Sequence, residues 1–139
     1  MIIQTNLDST MKDICLAKEA ISIYPKHFEW VEKCLNEKRT CFLICHHKKN
    51  IACAIIKLSN SYPKKLKLCY LYVKEEFRNR GYGSLLIGAV ETYARGKRLN
   101  SVYMTASPKA KNISVCLKLN DYLIIGQTQN GDTVFQHEL

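Results

Sequence analysis

The feature that most constrains the fold is a glycine-containing loop between a strand pattern and a helix pattern. The segment "KLKLCYLYV", residues 65–73, alternates at first and then turns continuously apolar, as a central strand does when both faces are covered. After the loop segment "FRNRGYGSLL", residues 77–86, apolar residues continue at helical spacing until Gly96, a natural helix end. Such a strand-loop-helix unit aims several backbone N–H groups at one point, where the helix dipole adds positive potential. It therefore predicts an anion site, most often for phosphate.

The segments before this unit predict one strand, two helices and a hairpin. "MIIQTNL" is typical of a short strand, and residues 9–24 have helical spacing. A second helix is expected after Pro25, with its buried face formed by Phe28, Val31, Cys34 and Leu35. The apolar segments "CFLICHH" and "IACAIIKLS" then predict an antiparallel hairpin, whose turn leaves His46 and His47 exposed.

The segments after the unit complete a single α/β domain with one mixed sheet. "SVYMTAS" predicts a strand, and a short helix is expected to begin near Asn112. "YLIIGQTQ" and "DTVFQHEL" flank Asn130-Gly131, the strongest short hairpin signal. The predicted order is β-α-α-β-β-β-α-β-α-β-β, in a chain whose 139 residues suit one core.

The charge of the chain is concentrated around the glycine loop. Twelve Lys and Arg lie between Lys64 and Lys118 against three acidic residues, which accounts for the whole net charge of +9. A solvated basic face is one explanation. A binding site for a polyanion explains the crowding of like charges better.

Cysteine usage and hydropathy indicate a reduced, cytoplasmic protein. The seven cysteines are odd in number, lie mostly in apolar runs and form no C-x-x-C pair, which argues against a zinc site. No run of 18 apolar residues predicts a membrane span, and the first residues do not resemble a signal peptide.

Two common phosphate-binding motifs do not match the loop. A P-loop requires a lysine directly after its last glycine, and Ser84 follows Gly83 here. A dinucleotide fingerprint requires a third glycine where this chain has Leu86. Both are therefore rejected.

The segment "VKEEFRNRGYGSLL" resembles the signature of the GCN5-related N-acetyltransferase (GNAT) superfamily. That signature reads Gln or Arg, two residues, Gly, one residue, then Gly or Ala, and Arg78, Gly81 and Gly83 fill its positions. The resemblance covers essentially the whole chain, although the N-terminal half agrees only in the order of its elements. It implies the GNAT fold, a single mixed, mostly antiparallel sheet flanked by helices, and one N-acetyltransferase domain spanning residues 1–139.

The resemblance also implies which residues bind acetyl-CoA. Backbone N–H groups of the loop would hold the pyrophosphate, from Arg78, Asn79, Arg80, Gly81, Tyr82, Gly83 and Ser84. Leu71 and Val73 would pair with the pantetheine amides, and an N–H near Val73 would polarise the thioester carbonyl. Asn112 would contact the pantetheine arm or serve as a simple helix N-cap.

The catalytic residues depart from the family's pattern, because Leu117 stands where many GNAT members have a tyrosine acid. The candidates for this acid are Tyr72, Tyr122 and Tyr70, with a packing role as the alternative for Tyr72 and Tyr122, and the candidates for a water-relayed base are Glu75 and Glu76. Thr105 is a candidate for lining the cleft, and Phe28 and Trp30 are candidates for the acceptor site.

The expected function is an acetyl-CoA-dependent N-acetyltransferase in which a primary amine attacks the thioester directly. The acceptor is left open among a small molecule, a peptide and an aminoacyl-tRNA, with no other nucleic acid and no membrane as partner. Many members of the superfamily form homodimers, which this chain's sequence leaves open. The alternative function is a coenzyme A-binding module with little catalysis and a sensory or partner-binding role.

Overall fold

The computed structural model describes residues 2–59 and 63–139. Its strands are β1 (Ile2–Asn6), β2 (Thr40–His46), β3 (Lys49–Leu58), β4 (Lys65–Val73), β5 (Ser101–Ala106), β6 (Leu123–Gln127) and β7 (Thr133–Glu138). Its helices are α1 (Lys12–Cys15), α2 (Lys18–Ile23), α3 (His27–Asn36), α4 (Tyr82–Gly96) and α5 (Lys111–Leu119), with short 3-10 helices at Ser9–Met11 and Glu75–Phe77. Within the described ranges, no helix has the length and apolar character needed to cross a membrane.

All seven strands form one mixed sheet in the order β1-β2-β3-β4-β5-β7-β6. Every neighbouring pair is antiparallel except β4 and β5, which are parallel. This confirms the predicted fold class and the mostly antiparallel sheet.

Helices cover both faces of the sheet and bury two apolar clusters. On one face, α1 and α3 contribute Ile14, Val31 and Cys34, which pack with Tyr70 of β4. On the other face, α4 and α5 pack against a cluster that includes Leu71 of β4. From Tyr70 to Val73, successive residues of β4 therefore alternate between the two clusters, which is why the second half of this strand is continuously apolar.

The predicted helix over residues 9–24 is interrupted, and this part of the prediction was wrong. Ala17 has extended backbone angles between α1 and α2. The carbonyls of Ile14 and Cys15, which would bond the next helical turn, accept instead from the Tyr70 hydroxyl at 2.9 Å and the His27 ring at 2.7 Å. Long-range side-chain bonds thus compete with the helix at the point where it breaks.

The second predicted helix forms, but its buried face differs by one position. Phe28 is 56% exposed, contrary to the prediction. Helix α3 begins at His27. Val31 lies four residues after His27, and Cys34 lies three residues after Val31, so all three side chains are on the inner face.

Both predicted hairpins are present. His47 and Lys48 have φ angles of 49° and 63° in the turn between β2 and β3, and both histidines of this turn are exposed as expected. Gly131 has a φ of 85° between β6 and β7. Positive φ at these positions suits tight hairpin turns.

Strands β4 and β5 pair only at their first residues, which leaves the sheet open at one end. Lys65–Lys67 pair with Ser101–Tyr103, and the pairing stops there. β4 has a bulge where the two strands separate. Ile55 is opposite Tyr70 and Ile56 is opposite Leu68, so Cys69 has no opposite residue in β3. We call the gap between Leu68–Val73 and Met104–Ala106 the strand opening.

Candidate active site

The strand opening presents unpaired backbone groups of β4. The N–H of Lys74 donates to the Ile51 carbonyl of β3 at 2.8 Å. Since N–H groups alternate in direction along a strand, those of Leu71 and Val73 point away from β3, toward the opening. The structure thus places both predicted pantetheine-binding residues at this edge.

The loop after β4 offers backbone N–H groups at the start of α4. The N–H groups from Asn79 to Ser84 donate to no acceptor in the described part of the chain, and no side chain caps the helix. Asn79 and Gly81 have φ angles of 62° and 84°, which turn successive amides toward one side. The N–H of Arg78, by contrast, already donates to the Glu75 carbonyl at 3.2 Å.

Gly81 and Gly83 serve different purposes in this loop. A side chain at Gly81 would meet nothing within 4 Å, but the positive φ favours glycine there. A Cβ at Gly83 would lie 2.8 Å from the Cys116 Sγ of α5. Gly83 therefore allows α4 and α5 to approach closely, independently of any role in anion binding.

Helix α5 is also tied to the loop through Ser84. The Asn120 amide nitrogen donates to the Ser84 hydroxyl at 3.0 Å and to the Cys116 carbonyl at 2.8 Å. Packing at Gly83 and this bond at Ser84 together fix the first turn of α4 against the end of α5.

We expect Gly83→Ala to destabilise the fold and the same change to stabilise it when Cys116 is alanine. The close contact should cost about 1–3 kcal/mol, which exceeds the ~0.5–1 kcal/mol that alanine gains over glycine in a helix. Without the Cys116 thiol only the gain remains. Urea unfolding of the four variants of this cycle measures the sign, and a loss of equal size in both backgrounds would contradict the packing account.

A hydrogen-bonded network lies beside the end of β4 on the side of α2. The Tyr72 hydroxyl donates to one carboxylate oxygen of Glu19 at 3.2 Å, and the Arg78 guanidinium bonds the other at 2.6 Å. Arg78 also donates from Nε to the Val73 carbonyl at 2.9 Å and lies 5.5 Å from the centre of the Tyr72 ring. Burial, followed by the charge of Glu19, raises the pKa of Tyr72, so its hydroxyl stays protonated.

The two ends of the α2 segment reach both separated strands. Glu19, near its beginning, contacts Tyr72 of β4. Tyr24, directly after its end, accepts a hydrogen bond from the N–H of Ser107 at 3.1 Å, just beyond β5. The pKa of Tyr24 is raised by burial. This helix therefore spans the strand opening on one face of the sheet, while the loop before α4 lies at the end of β4.

Other predicted site residues occupy the core or the surface. Tyr122 is 2% exposed and donates to Glu91 of α4 at 2.9 Å, and Leu117 is fully buried. Asn112 is exposed in the first turn of α5, and the residue before that helix is Ala110, so the N-cap interpretation of Asn112 was wrong. Its contact with a pantetheine arm stays a prediction.

The remaining candidates differ in position. Glu75 and Glu76 are exposed in the 3-10 helix after β4. Thr105 lies on β5 within the strand opening. Trp30 of α3 stacks on His27, with 5.5 Å between ring centres, and His27 stacks equally closely on Tyr70.

Sequence reasoning did not find Glu19 and Tyr24. Glu19 lies 53 residues before Tyr72, and Tyr24 lies 83 residues before Ser107. Neither residue belongs to a motif, so the only signal was the helical pattern that contains them. Their contacts depend on how the N-terminal helices fold over the sheet.

Comparisons with known proteins identify the family. The model of the acetyltransferase (GNAT) family matches residues 7–119. The chain therefore belongs to the GNAT acetyltransferase family. Among curated proteins, none is significantly similar in sequence.

Solved structures of GNAT proteins share the complete fold. A chain from Desulfovibrio desulfuricans assigned to the GNAT family superposes with a TM-score of 0.83 at 11% identity, covering 99% of this chain and 98% of that one. PaiA N-acetyltransferase from Thermoplasma acidophilum, solved with coenzyme A, gives 0.76 at 16% identity, covering 100% and 99%. Arabidopsis thaliana NAA60, solved with a bisubstrate analogue, gives 0.71 at 14% identity, covering 99% and 98%. At these identities the likeness shows the fold alone.

Proposed function

We propose that the protein is an acetyl-CoA-dependent N-acetyltransferase that transfers an acetyl group to a primary amine. The observation that carries this proposal is the meeting of two features at the end of β4. Unbonded N–H groups run from Asn79 to Ser84, and the strand opening begins beside them. The first suits a pyrophosphate and the second an extended amide-containing arm. We treat residues 1–139 as one catalytic domain.

The residues present fit coenzyme A. Space beside Gly81 leaves its backbone accessible, and the surrounding segment carries the entire positive excess of the chain. The N–H groups of Asn79, Arg80, Gly81, Tyr82, Gly83 and Ser84 would hold the pyrophosphate, and Leu71 and Val73 would bind the pantetheine amides. The Arg78 side chain is bonded to Glu19 and Val73, so its role would be to position the end of β4.

The protein would contribute backbone hydrogen-bond donors and side chains that transfer protons. Acetyl-CoA supplies an activated acetyl thioester. Of the two N–H groups that point into the strand opening, those of Leu71 and Val73, one would bind the pantetheine arm and the other would donate to the thioester oxygen as charge develops there. As the C–N bond forms and the C–S bond breaks, the amine loses one proton and the sulfur gains one. The Tyr72 hydroxyl would give the proton to sulfur, and Glu19 or a water held by Glu75 would take the one from the amine.

A thiol-release assay tests this function. Acetyl-CoA is incubated with the protein and a panel of amines that includes a polyamine, an amino sugar, short peptides and an aminoacyl-tRNA. Free thiol should appear with at least one of them, together with an acetylated product of the expected mass.

We further infer a cytoplasmic location. All seven cysteines lie in described segments and none forms a disulfide there, which supports this inference.

A non-catalytic coenzyme A-binding module is the second candidate, favoured by the burial of Leu117. That residue takes the position of the family's tyrosine, and its aliphatic side chain, which lies in the core, has no proton to give. Tight binding of coenzyme A without turnover on any amine of the panel would favour this candidate. Turnover on one amine rules it out.

We expect Glu19→Gln to move the alkaline limb of the turnover profile to lower pH. The charge of Glu19 helps to raise the pKa of Tyr72, so its removal lets the phenol lose its proton earlier. Turnover measured against pH gives the shift. Glu32→Gln is the matched control, because Glu32 pairs with Lys12 at 3.2 Å, and its profile should not move. Identical profiles for all three proteins would exclude Tyr72 as the proton donor.

A further inference from the structure

The fold divides the positive charge of the chain between two ends of the sheet. Twelve Lys and Arg lie between Lys64 and Lys118 in the sequence. Lys57, at the end of β3, is opposite Lys67 of β4. With Lys57, five of the twelve lie at the end of the sheet away from the glycine-containing loop, at the start of β4 or just after α4. We call these six residues the basic end: Lys57, Lys64, Lys65, Lys67, Lys97 and Arg98.

The basic end is distant from the loop that we propose for the pyrophosphate. Strand β4 has nine residues, Lys65–Val73, so its two ends are roughly 25 Å apart at about 3.3 Å per residue. The N–H of Asn100 donates to the Lys64 carbonyl at 2.7 Å, which places the residues after α4 beside the start of β4. Salt screens exposed charges over about 8 Å at physiological ionic strength. A pyrophosphate in the loop therefore does not compensate the charge of the basic end.

Two lysines of the basic end repel each other across the sheet. Lys57 and Lys67 are directly opposite on β3 and β4. Opposite side chains in an antiparallel pair have their Cβ atoms about 5 Å apart, and like charges there destabilise the sheet. Neither lysine forms an ion pair with any residue that the structure describes. An anion bound from outside would relieve this repulsion.

The basic end continues from one face of the sheet around its rim. Leu66 and Leu68 pack in the cluster on the side of α4, so Lys65 and Lys67 point to the other face, and so does Lys57 opposite Lys67. The other three members of the basic end lie at the rim, where all of them are exposed: Lys64, Lys97 and Arg98. The surface therefore offers cations to a ligand that extends over several residues.

A cleft adjoins the basic end and adds to its positive charge. It has a volume of about 340 Å³, and Lys38, Lys57 and Tyr93 are among the residues that line it. The acidic residue of this lining, Glu37, is already bonded to Arg39 at 2.7 Å. The cleft therefore suits a negatively charged group.

The residue types at the basic end favour a nucleic acid strand over an acidic protein. Five of the six are lysines, a residue that protein–protein interfaces contain rarely and phosphate-binding surfaces contain often. Tyrosines accompany them, since Tyr103 is opposite Lys67 and the Lys97 Nζ lies 5.6 Å from the centre of the Tyr93 ring. Lysines beside aromatic rings are typical of proteins that bind single strands, because unpaired bases stack on the rings.

We propose that the basic end binds a single-stranded nucleic acid through its phosphates, at a site separate from that of coenzyme A. Lys57, Lys67 and Lys97 contact successive phosphates, and a base stacks on the half-buried ring of Tyr103. This mode of binding does not depend on the base sequence. The partner goes beyond the expectation from sequence, in which nucleic acid enters only as an aminoacyl-tRNA acceptor.

Fluorescence anisotropy of labelled strands of about twelve nucleotides tests the site, since single-strand sites span roughly 4–16 nucleotides. Oligouridylate and oligothymidylate distinguish RNA from DNA as the source of the strand. Wild type should bind at least one of them, and the logarithm of its affinity should fall by about 0.7 per contacted phosphate for each tenfold rise in salt. Failure to bind either strand at low salt overturns the proposal.

Lys57→Gln/Lys67→Gln should bind the strand roughly 10–30-fold more weakly at about 0.1 M salt, as the loss of two phosphate contacts predicts. Its urea unfolding should show no loss of stability, because the change removes a repulsion. Lys109→Gln/Lys111→Gln is the matched control, since it removes the same charge from exposed positions after β5, and it should bind like wild type. Equal losses of affinity in both variants would show an effect of net charge and overturn the site.

Two competitors complete the test. Saturating coenzyme A should leave the strand bound, and displacement by coenzyme A would place the strand in the loop before α4 and overturn the proposal. Polyglutamate of equal charge should displace the strand only weakly. Displacement as effective as that by unlabelled strand would assign the surface to acidic proteins and overturn the proposal as well.

Discussion

Gly81→Asp should lose coenzyme A binding almost completely while the protein stays folded. Gly81 has a φ of 84° and open space around its position, so an aspartate side chain fits without collision. It would place a negative charge among the N–H groups that we propose as the pyrophosphate site. One like-charge contact at about 4 Å near a protein surface costs roughly 4 kcal/mol, or about a thousandfold in affinity. Calorimetric titration with coenzyme A measures this loss.

Gly81→Asn is the matched control for this prediction. Asparagine has nearly the same shape as aspartate and is among the residues that tolerate positive φ, so both variants should lose similar stability. Only the aspartate carries charge. Equal losses of affinity in the two variants would show that backbone geometry, and not anion repulsion, is responsible. Unchanged affinity in Gly81→Asp would place the phosphates elsewhere.

Tyr72→Phe should lower turnover by about 10²–10⁴-fold, the usual contribution of a positioned proton donor. The change removes the hydroxyl and keeps the ring that packs on Tyr70 and lies under Arg78. Coenzyme A affinity should be unaffected, because the ring does not belong to the loop. Thiol release with the fastest amine of the panel, at saturating acetyl-CoA, gives the ratio.

Two further tyrosine variants separate the candidates for the proton donor. Tyr122→Phe removes a hydroxyl from a partly buried hydrogen bond to Glu91 and should cost ~1 kcal/mol of stability with turnover unchanged. Tyr24→Phe removes the hydroxyl beside β5. Full turnover in Tyr72→Phe would contradict the assignment, and loss of turnover in Tyr24→Phe alone would move the donor to the β5 side of the opening.

The sheet was predictable because its signals are local. The apolar run of β4 and the Asn130-Gly131 turn each specify their own conformation. The same holds for the loop. Gly81 and Asn79 both have a positive φ, which glycine favours and asparagine tolerates. Local chemistry therefore gave the order of the elements and the position of the free N–H groups.

Features that depend on distant contacts were not predictable. The helix break at Ala17 arises because Tyr70 and His27 bond the carbonyls before it. The motif assigned Gly83 to the pyrophosphate loop and gave no sign that Cys116 of another helix packs against it. Glu19 joins the site only because α2 folds across the strand opening. Such pairings are set by packing and leave no pattern in the sequence.

Amide chemical shifts of ¹⁵N-labelled protein test the central claim most directly. On addition of coenzyme A, the N–H signals of residues 79–84 should move more than all others, with Gly81 and Gly83 readily identified. Pantetheine, which lacks the pyrophosphate, should move the signals of Leu71 and Val73 and leave the loop nearly unchanged. If coenzyme A binds while the signals of residues 79–84 stay in place, these amides do not hold the pyrophosphate and the proposed active site is wrong.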